Sequence, residues 1–549
     1  MIAADYISDY ISNKNITHVF GVSGANIEDL FNSIYKINKT SIVLAKNEYC
    51  AAMMAIGYYL TTKNISIVLT TSGPGIFNTI PVLVEAYSSK IPLVLISGSV
   101  LDSHEGKRAF QDTSGEGESV NVLKMLTECT CFQIKVTDVS MIPDALETAF
   151  NYAIKFKKPS VIIIPKNIFQ CETLSLKDFV TEKEVVINLE SSDLAGAISF
   201  CQQFLTEGAN PPLVILGDRL VHLKEIDSIK KFISLTDANV ALTPNSKGLY
   251  DHYDSRYLGL IGIMGHSCVI DYLNQTSHVI CIGASFDLMS FFGIQEILKT
   301  KKVLILNEIK EQGSLFNLLD ENVIEVIGDI DTNISLVSFS LQNTHLAIER
   351  NPIINNSPDY SDYVFENIIS IIQLNLENDA NIFVDAGNCG AFVIHHLKTR
   401  GNGVFYVSLG MGGMGNSIGA GIGSAIATNK KTYVFLGDGS FLIYGLEIHT
   451  TIEYNLPIVY FLFNNNSHGM CTTRESLFLE TATGINDFRE SRYSEGLGKI
   501  FPGLTCYNVF DIESLKLCLG DIRETSSPSI VTINIKNFEI PPFKTFCKN

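Results

Sequence analysis

The chain reads as an α/β protein made of three doubly wound parallel-sheet domains. Three observations predict this. Short apolar runs of β-type residues alternate with helical patterns along the whole sequence. Two polar stretches, Glu172–Ser192 and Gln342–Asp362, break the alternation into three blocks of similar size, bounded at 1–172, 190–340 and 360–549. In the last block a strand–helix–strand unit carries turn residues at the end of each strand, where open α/β sheets place their ligands.

In the first block the strand-like runs are Ile42–Leu44, Ile65–Thr70, Leu93–Ser97 and Ser160–Ile164. Between the first two, Glu48 opens a helix running through Ala51, Ala55 and Tyr59, with Asn47 placed to cap it. The second block offers Leu213–Leu216, Val240–Leu242, Val279–Ile282, Val303–Leu306 and Val323–Ile327. The third offers Ile382–Val384, a helix pattern over Phe392–Lys398 bearing His395-His396, then Tyr433–Leu436 and Pro457–Phe463. A helix-like stretch, Phe441–Tyr454, joins the last two runs, which should therefore be parallel. The blocks share size and alternation without a residue-level repeat, so one fold used three times is expected.

Composition narrows the function. With 549 residues there is room for about three or four domains of roughly 150 residues. Apolar content of 46% and charged content of 18% provide for a large core and argue against disorder. A formal charge of −18 argues against nucleic acid as a partner. The twelve cysteines lack zinc-finger spacing, Cys129 and Cys131 being too close together. Scattered cysteines and an N-terminus without a basic, then apolar, leader make a cytoplasmic protein the expectation. Met411–Ala427 is apolar and glycine-rich, but Asn416 and Ser417 interrupt it and it is short for a membrane span. Close helix packing is the better reading.

The chemistry concentrates near the C-terminus. Gly437-Asp438-Gly439-Ser440 follows one apolar run, and Asn464-Asn465-Asn466-Ser467-His468-Gly469-Met470 follows the next. One carboxylate and one amide oxygen suit Mg²⁺, which takes few protein ligands and fills its octahedron with phosphate oxygens and water. Taken singly, each motif could equally be a turn or loop, since Gly, Asn and Asp favour turns. The interval of 465 − 438 = 27 positions decides between them, because it closely resembles the thiamine diphosphate fingerprint.

The resemblance extends to Val19-Phe-Gly-Val-Ser-Gly24, Lys46-Asn-Glu48, Thr71-Ser-Gly-Pro-Gly75 with Asn78, Ile91–Gly98 and Gly412-Gly-Met-Gly415. The chain is thereby similar to the acetolactate synthase, pyruvate oxidase and 2-oxoacid decarboxylase family. That resemblance implies a pyrimidine-binding, a central and a diphosphate-binding domain, in this order. It implies Mg²⁺ held by Asp438, Asn465 and the carbonyl of Ser467. Cofactor contacts would come from Gly24, Glu48, Thr71 and Asn78 in the first block. In the third they would come from Asn388, Cys389, Gly412, Met414, Gly437, Gly439, Ser440, His468, Gly469 and Met470.

Glu48 is the first candidate for catalysis. Alone, a Glu in the first helical turn is explained by the helix dipole. The resemblance reverses that order, because the family uses a Glu here, hydrogen-bonded to the aminopyrimidine, to activate the thiazolium carbon; a buried carboxyl suits such proton traffic. Phe110 and Gln111 match the synthase residues on the substrate side of the cleft, where plain decarboxylases carry a His pair. Ligation of a 2-oxoacid, with pyruvate first, to a second carbonyl is therefore expected, and simple decarboxylation is the alternative. The absence of Trp and the Ser467-His468 pair depart from the synthase pattern, leaving the acceptor open among oxoacids, aldehydes and keto-sugars. Gly283–Met289 lacks both arginines of the family's flavin segment, which disfavours FAD without excluding it. An inactive regulatory homologue should have lost Glu48, Asp438 or Asn465, and all three are present. The family also implies a homodimer or homotetramer with its active site shared between subunits.

Overall fold

A computed structural model of the chain describes residues 1–172, 193–206, 210–310, 323–341, 361–479, 481, 483–536 and 539–546. Of the two expected linkers, Glu172–Ser192 and Gln342–Asp362, residues 173–192 and 342–360 lie outside the described residues. The first sheet contains β1 (His18–Gly21), β2 (Ser41–Leu44), β3 (Ser66–Thr70), β4 (Leu93–Ser99), β5 (Phe132–Lys135) and β6 (Ser160–Pro165). The second contains β7 (Leu213–Leu216), β8 (Asn239–Leu242), β9 (Tyr257–Leu260), β10 (His278–Ile282), β11 (Lys302–Asn307) and β12 (Val323–Ile327). The third contains β13 (Asn381–Val384), β14 (Phe405–Val407), β15 (Thr432–Gly437), β16 (Ile458–Asn464), β17 (Thr505–Val509) and β18 (Ser529–Asn534).

Neighbouring strands are parallel throughout, including β15 and β16, where Gly437 pairs with Phe463. The sheet orders are β2-β1-β3-β4-β6-β5, β12-β11-β10-β7-β8-β9 and β14-β13-β15-β16-β18-β17. The first and third are one topology. The middle sheet differs: counted from its own first strand it runs 3-2-1-4-5-6, the order of dinucleotide-binding folds. One fold used three times is thus corrected to one fold used twice around a second.

Of the six strands not named from the sequence, β5, β9, β14 and β17 are edge strands. An edge strand is covered less completely, so its residues need not be continuously apolar, as Phe132–Lys135 illustrates with four half-buried positions. The expected helix over Phe441–Tyr454 is also interrupted. It starts earlier, at Asp438–Tyr444, passes through a 3₁₀ turn at Gly445–Glu447 and resumes as Ile448–Glu453.

The first and third sheets are joined by two helices in backbone contact. Glu48–Thr62 buries every residue from Tyr49 to Leu60, and Asn416–Thr428 buries Asn416 to Ala425. A Cβ at Gly57 would lie 1.8 Å from the Ala420 carbonyl oxygen, and one at Gly423 would lie 1.9 Å from that of Met54. The glycine-rich stretch is therefore a packing device, as its polar interruptions suggested. Among the described residues no helix is long and apolar enough to cross a membrane.

Gly57→Ala should destabilise the protein by at least the roughly 1–3 kcal/mol typical of overpacking, seen as a lowered thermal midpoint. Gly496→Ala, in the helix Tyr493–Ile500 with no atom near its Cβ position, should leave the midpoint unchanged or slightly raised. Equal midpoints for the two variants would reject the close contact.

Candidate active site

Both repeated sheets reverse strand order at one point, between β1 and β3 and between β13 and β15. Loops at such switch points form a crevice at the C-terminal ends of the strands. The residues singled out from the sequence gather at these two places.

At the third sheet, Asp438 is the first helical residue after β15 and is buried. Its Oδ1 accepts from the Gly439 N–H at 3.0 Å, while Oδ2 is buried without a hydrogen-bond partner. Burial pushes the Asp438 carboxyl up to about 6, against the pull of main-chain N–H groups at Gly439, Asn466 and Ser467. Asn465 follows β16 and accepts from the Ser467 N–H at 3.1 Å. Ser467 is buried, its hydroxyl 2.7 Å from that of Thr472. Asn388 opens the helix Asn388–His396; its Nδ2 donates to Thr473 Oγ1 at 3.0 Å, and its Oδ1 is also buried without a partner. A cleft of about 300 Å³ is lined by these residues with Cys389, Met414, Gly437, Gly439, Ser440, His468, Gly469 and Met470. Gly412 is not among its lining residues. Leaving buried polar oxygens unmade costs about 1–3 kcal/mol each, so the cleft is suited to a ligand bringing positive charge and donors.

Asp385, at the end of β13, was passed over in the sequence in favour of its neighbour Asn388. It is wholly buried and accepts from the Gly415 N–H at 2.6 Å and the Ser417 N–H at 3.2 Å. Burial pushes its carboxyl up to about 6, opposed by the Ser440 hydroxyl and those N–H groups. It fixes the turn that carries Met414. The available signal was a carboxylate directly after a strand at a sheet's switch point.

At the first sheet, Asn47 caps the helix as expected, accepting from the Cys50 N–H at 2.8 Å. Glu48 Oε2 accepts from Asn78 Nδ2 at 2.9 Å. Thr71 donates to Gln111 Oε1 at 3.4 Å, and Gln111, at φ 65°, lies across Gly73. Gly24 backs onto the Thr71 side chain, where a Cβ would approach to 2.7 Å. Gly24, Glu48, Thr71, Asn78 and Gln111 thus share one edge, and Phe110 stands 87% exposed beside them.

Within one chain this group does not line the cleft of the third sheet. Within the single chain Glu48 is half-buried, and Phe110 and Gln111 do not wall the cleft that holds Asp438. The reason is geometric: the two edges belong to separate sheets, tied at fixed positions by buried carboxylates. Glu447 of the third block accepts from the Lys46 N–H at 3.0 Å and from Asn47 Nδ2 at 3.1 Å, just before Glu48. Burial raises its carboxyl above the usual range. Glu85 of the first block accepts from the Met411 N–H at 2.7 Å and the Gly410 N–H at 3.2 Å, just before Met414. His395-His396 has a different place, between the second and third sheets, where His395 stacks on His266 at 4.3 Å and its Nδ1 meets the Met264 carbonyl oxygen at 2.8 Å.

Three family models match the chain in order. They are the thiamine pyrophosphate enzyme N-terminal TPP-binding domain over residues 1–118, the central domain over 203–334 and the C-terminal TPP-binding domain over 385–531. The chain belongs to the thiamine pyrophosphate enzyme family. Among its relatives, the large subunit of acetolactate synthase isozyme 2 from Escherichia coli K12 is 23% identical, over 99% of this chain and 98% of that protein. The acetolactate synthase large subunit of Lactococcus lactis is 24% identical, over 84% and 80%. A putative thiamin diphosphate-dependent enzyme from Mycobacterium smegmatis shares the fold with a TM-score of 0.79 and 16% identity, over 98% of this chain and 99% of that one. The two switch-point groups fall in the N-terminal and C-terminal TPP-binding regions of this thiamine pyrophosphate enzyme.

Removing Glu447 should loosen the segment that leads into Glu48. In Glu447→Ala, hydrogen exchange at the Lys46–Glu48 amides should accelerate at least about tenfold, since the lost acceptor frees N–H groups from a buried partner. Exchange at the wild-type rate would show that the carboxylate does not hold this segment.

Proposed function

We propose that the protein is a thiamine diphosphate-dependent carboligase that releases CO₂ from a small 2-oxoacid, pyruvate in the first instance, and joins the remaining acyl unit to a second carbonyl compound. Gln111 carries this reading. Its neutral amide is fixed against Thr71 and Gly73 close to Glu48, in the region where plain decarboxylases of the family have a His pair. An amide and the apolar Phe110 can orient a carbonyl without offering a ready acid, so the reactive carbon meets the acceptor before it meets a proton.

Bound thiamine diphosphate would supply the carbon nucleophile and the electron sink. Asp438, Asn465 and the Ser467 carbonyl would hold Mg²⁺, an all-oxygen donor set suited to a hard cation, and the unpartnered Asp438 Oδ2 supports that role. Gly437, Gly439, Ser440, Asn388, Cys389, His468, Gly469 and Met470 would cradle the diphosphate. Gly412 and Met414 would face the pyrimidine side, with Gly24, Thr71 and Asn78 around Glu48, whose carboxyl exchanges a proton with the ring. Because the Glu48 group and the Asp438 cleft are separate within one chain, the complete site in this reading forms between two copies, as a homodimer or a homotetramer. A flavin has no part in it. The acceptor is an oxoacid, an aldehyde or a keto-sugar. A plain 2-oxoacid decarboxylase is the second reading, favoured by the imidazole of His468 on the cleft wall.

Calorimetry separates the binding roles. Asp438→Ala should lose most of its affinity for thiamine diphosphate with Mg²⁺, whereas Glu48→Gln should keep it; equal affinities in the two variants would reject this division of labour. For the reaction, protein supplied with pyruvate and each acceptor class should release ligated products identified by mass. Gln111→His should shift output toward the aldehyde, by up to the roughly 10²–10⁴-fold that a positioned acid contributes. Wild-type protein yielding only acetaldehyde and CO₂ would replace the carboligase with the decarboxylase.

A further inference from the structure

A cavity of about 390 Å³ lies between the first and central sheets. It sits under Ile16, Ile65 and Pro92, which lead into β1, β3 and β4, and so at the N-terminal edge of the first sheet. The Glu48 group occupies the opposite edge. Lys14, Lys63, Lys157 and His222 line this cavity, and among the described residues no carboxylate does. In a chain with a formal charge of −18, that wall is an exception.

Each lysine follows a helix, at the ends of Ala3–Asn13, Glu48–Thr62 and Ile142–Phe156, and a cation is favoured at a helix C-terminus. That preference accounts for one lysine per helix. It does not account for three helix ends sharing one cavity without an acid on its wall. Lys14 is paired with Glu147 at 3.0 Å and Lys157 with Glu308, whereas among the described residues Lys63 meets the Leu60 carbonyl oxygen of its own helix and no carboxylate. Burial brings the Lys63 ammonium down to about 8. His222 Nδ1 meets the Tyr59 hydroxyl at 3.0 Å, and burial together with the Lys157 and Lys63 charges keeps its imidazole neutral. The rest of the wall includes Ile65 and Ile154, which offer apolar surface for a carbon body.

We infer that this cavity binds a small organic anion, its carboxylate or phosphate head set at Lys63 beside Lys157 and Lys14 and its apolar body against Ile65 and Ile154. The site is separate from the cofactor cleft and does not depend on the reaction proposed above. To test it, protein saturated with thiamine diphosphate and Mg²⁺ is titrated by calorimetry at fixed ionic strength with phenyl phosphate and, separately, with 4-methylpentanoate. At least one probe should bind saturably at one site per chain, and the stronger identifies the preferred head group. Loss of a charge-assisted contact should weaken that binding about tenfold or more in Lys63→Gln, while Lys63→Arg restores it and cofactor affinity stays unchanged in both. Should Lys63→Gln not fold, Lys157→Gln serves the same comparison. The site is refuted if wild-type protein binds neither probe saturably, or if Lys63→Gln combined with Lys157→Gln binds as tightly as wild type.

Discussion

Everything in this molecule that bears on the cofactor hangs on the direct backbone contact between the helices Glu48–Thr62 and Asn416–Thr428. Gly57 against the Ala420 carbonyl and Gly423 against the Met54 carbonyl leave no room for a side chain on either surface. Interiors packed at this density transmit displacement instead of absorbing it. Glu48 opens one of these helices and the Met414 turn opens into the other. A shift along the contact would move both.

Buried carboxylates fix the same junction chemically. Glu447 holds the main chain ahead of Glu48, Glu85 holds it ahead of Met414, and Asp385 holds the turn at Gly415 and Ser417. Each satisfies main-chain N–H groups that loops at a sheet edge would otherwise leave unpaired. Burial raises the carboxyls of Asp385 and Glu447, yet each has several donors aimed at it. Asp438 differs in one respect: one of its oxygens has no donor at all. Asp385, Glu85 and Glu447 are met by main-chain donors, and this contrast sets Asp438 apart from them.

The repeated topology explains why two separated groups arise. Sheets with the same strand order have their switch points at equivalent places, so each supplies one crevice with different side chains in it. The first crevice carries a Glu, amides and a hydroxyl; the third carries an oxygen-donor cleft with glycines. Neither set alone has both the Glu48 carboxyl and the Asp438 cleft. The central block, with its own strand order, contributes no described residue to either group and supplies only His222 to the cation-lined cavity at the far edge.

Much of this was legible in the sequence. Twelve strands announced themselves as continuous apolar runs, because strands buried on both faces need little else. The Asp438–Asn465 interval is a property of chain length between two strand ends, and the Asn47 cap is local chemistry. Edge strands such as β5 and β17 were not legible, since partial burial removes the apolar signal. Asp385, Glu85 and Glu447 were not either, because a carboxylate that grips main chain thirty or even several hundred residues away looks, in sequence, like any surface acid. The sequence by itself therefore determined the fold class and the family. Only the tertiary structure decided that Glu48 and Asp438 stand in separate groups within one chain, since that separation depends on how two helices pack and not on any spacing along the chain.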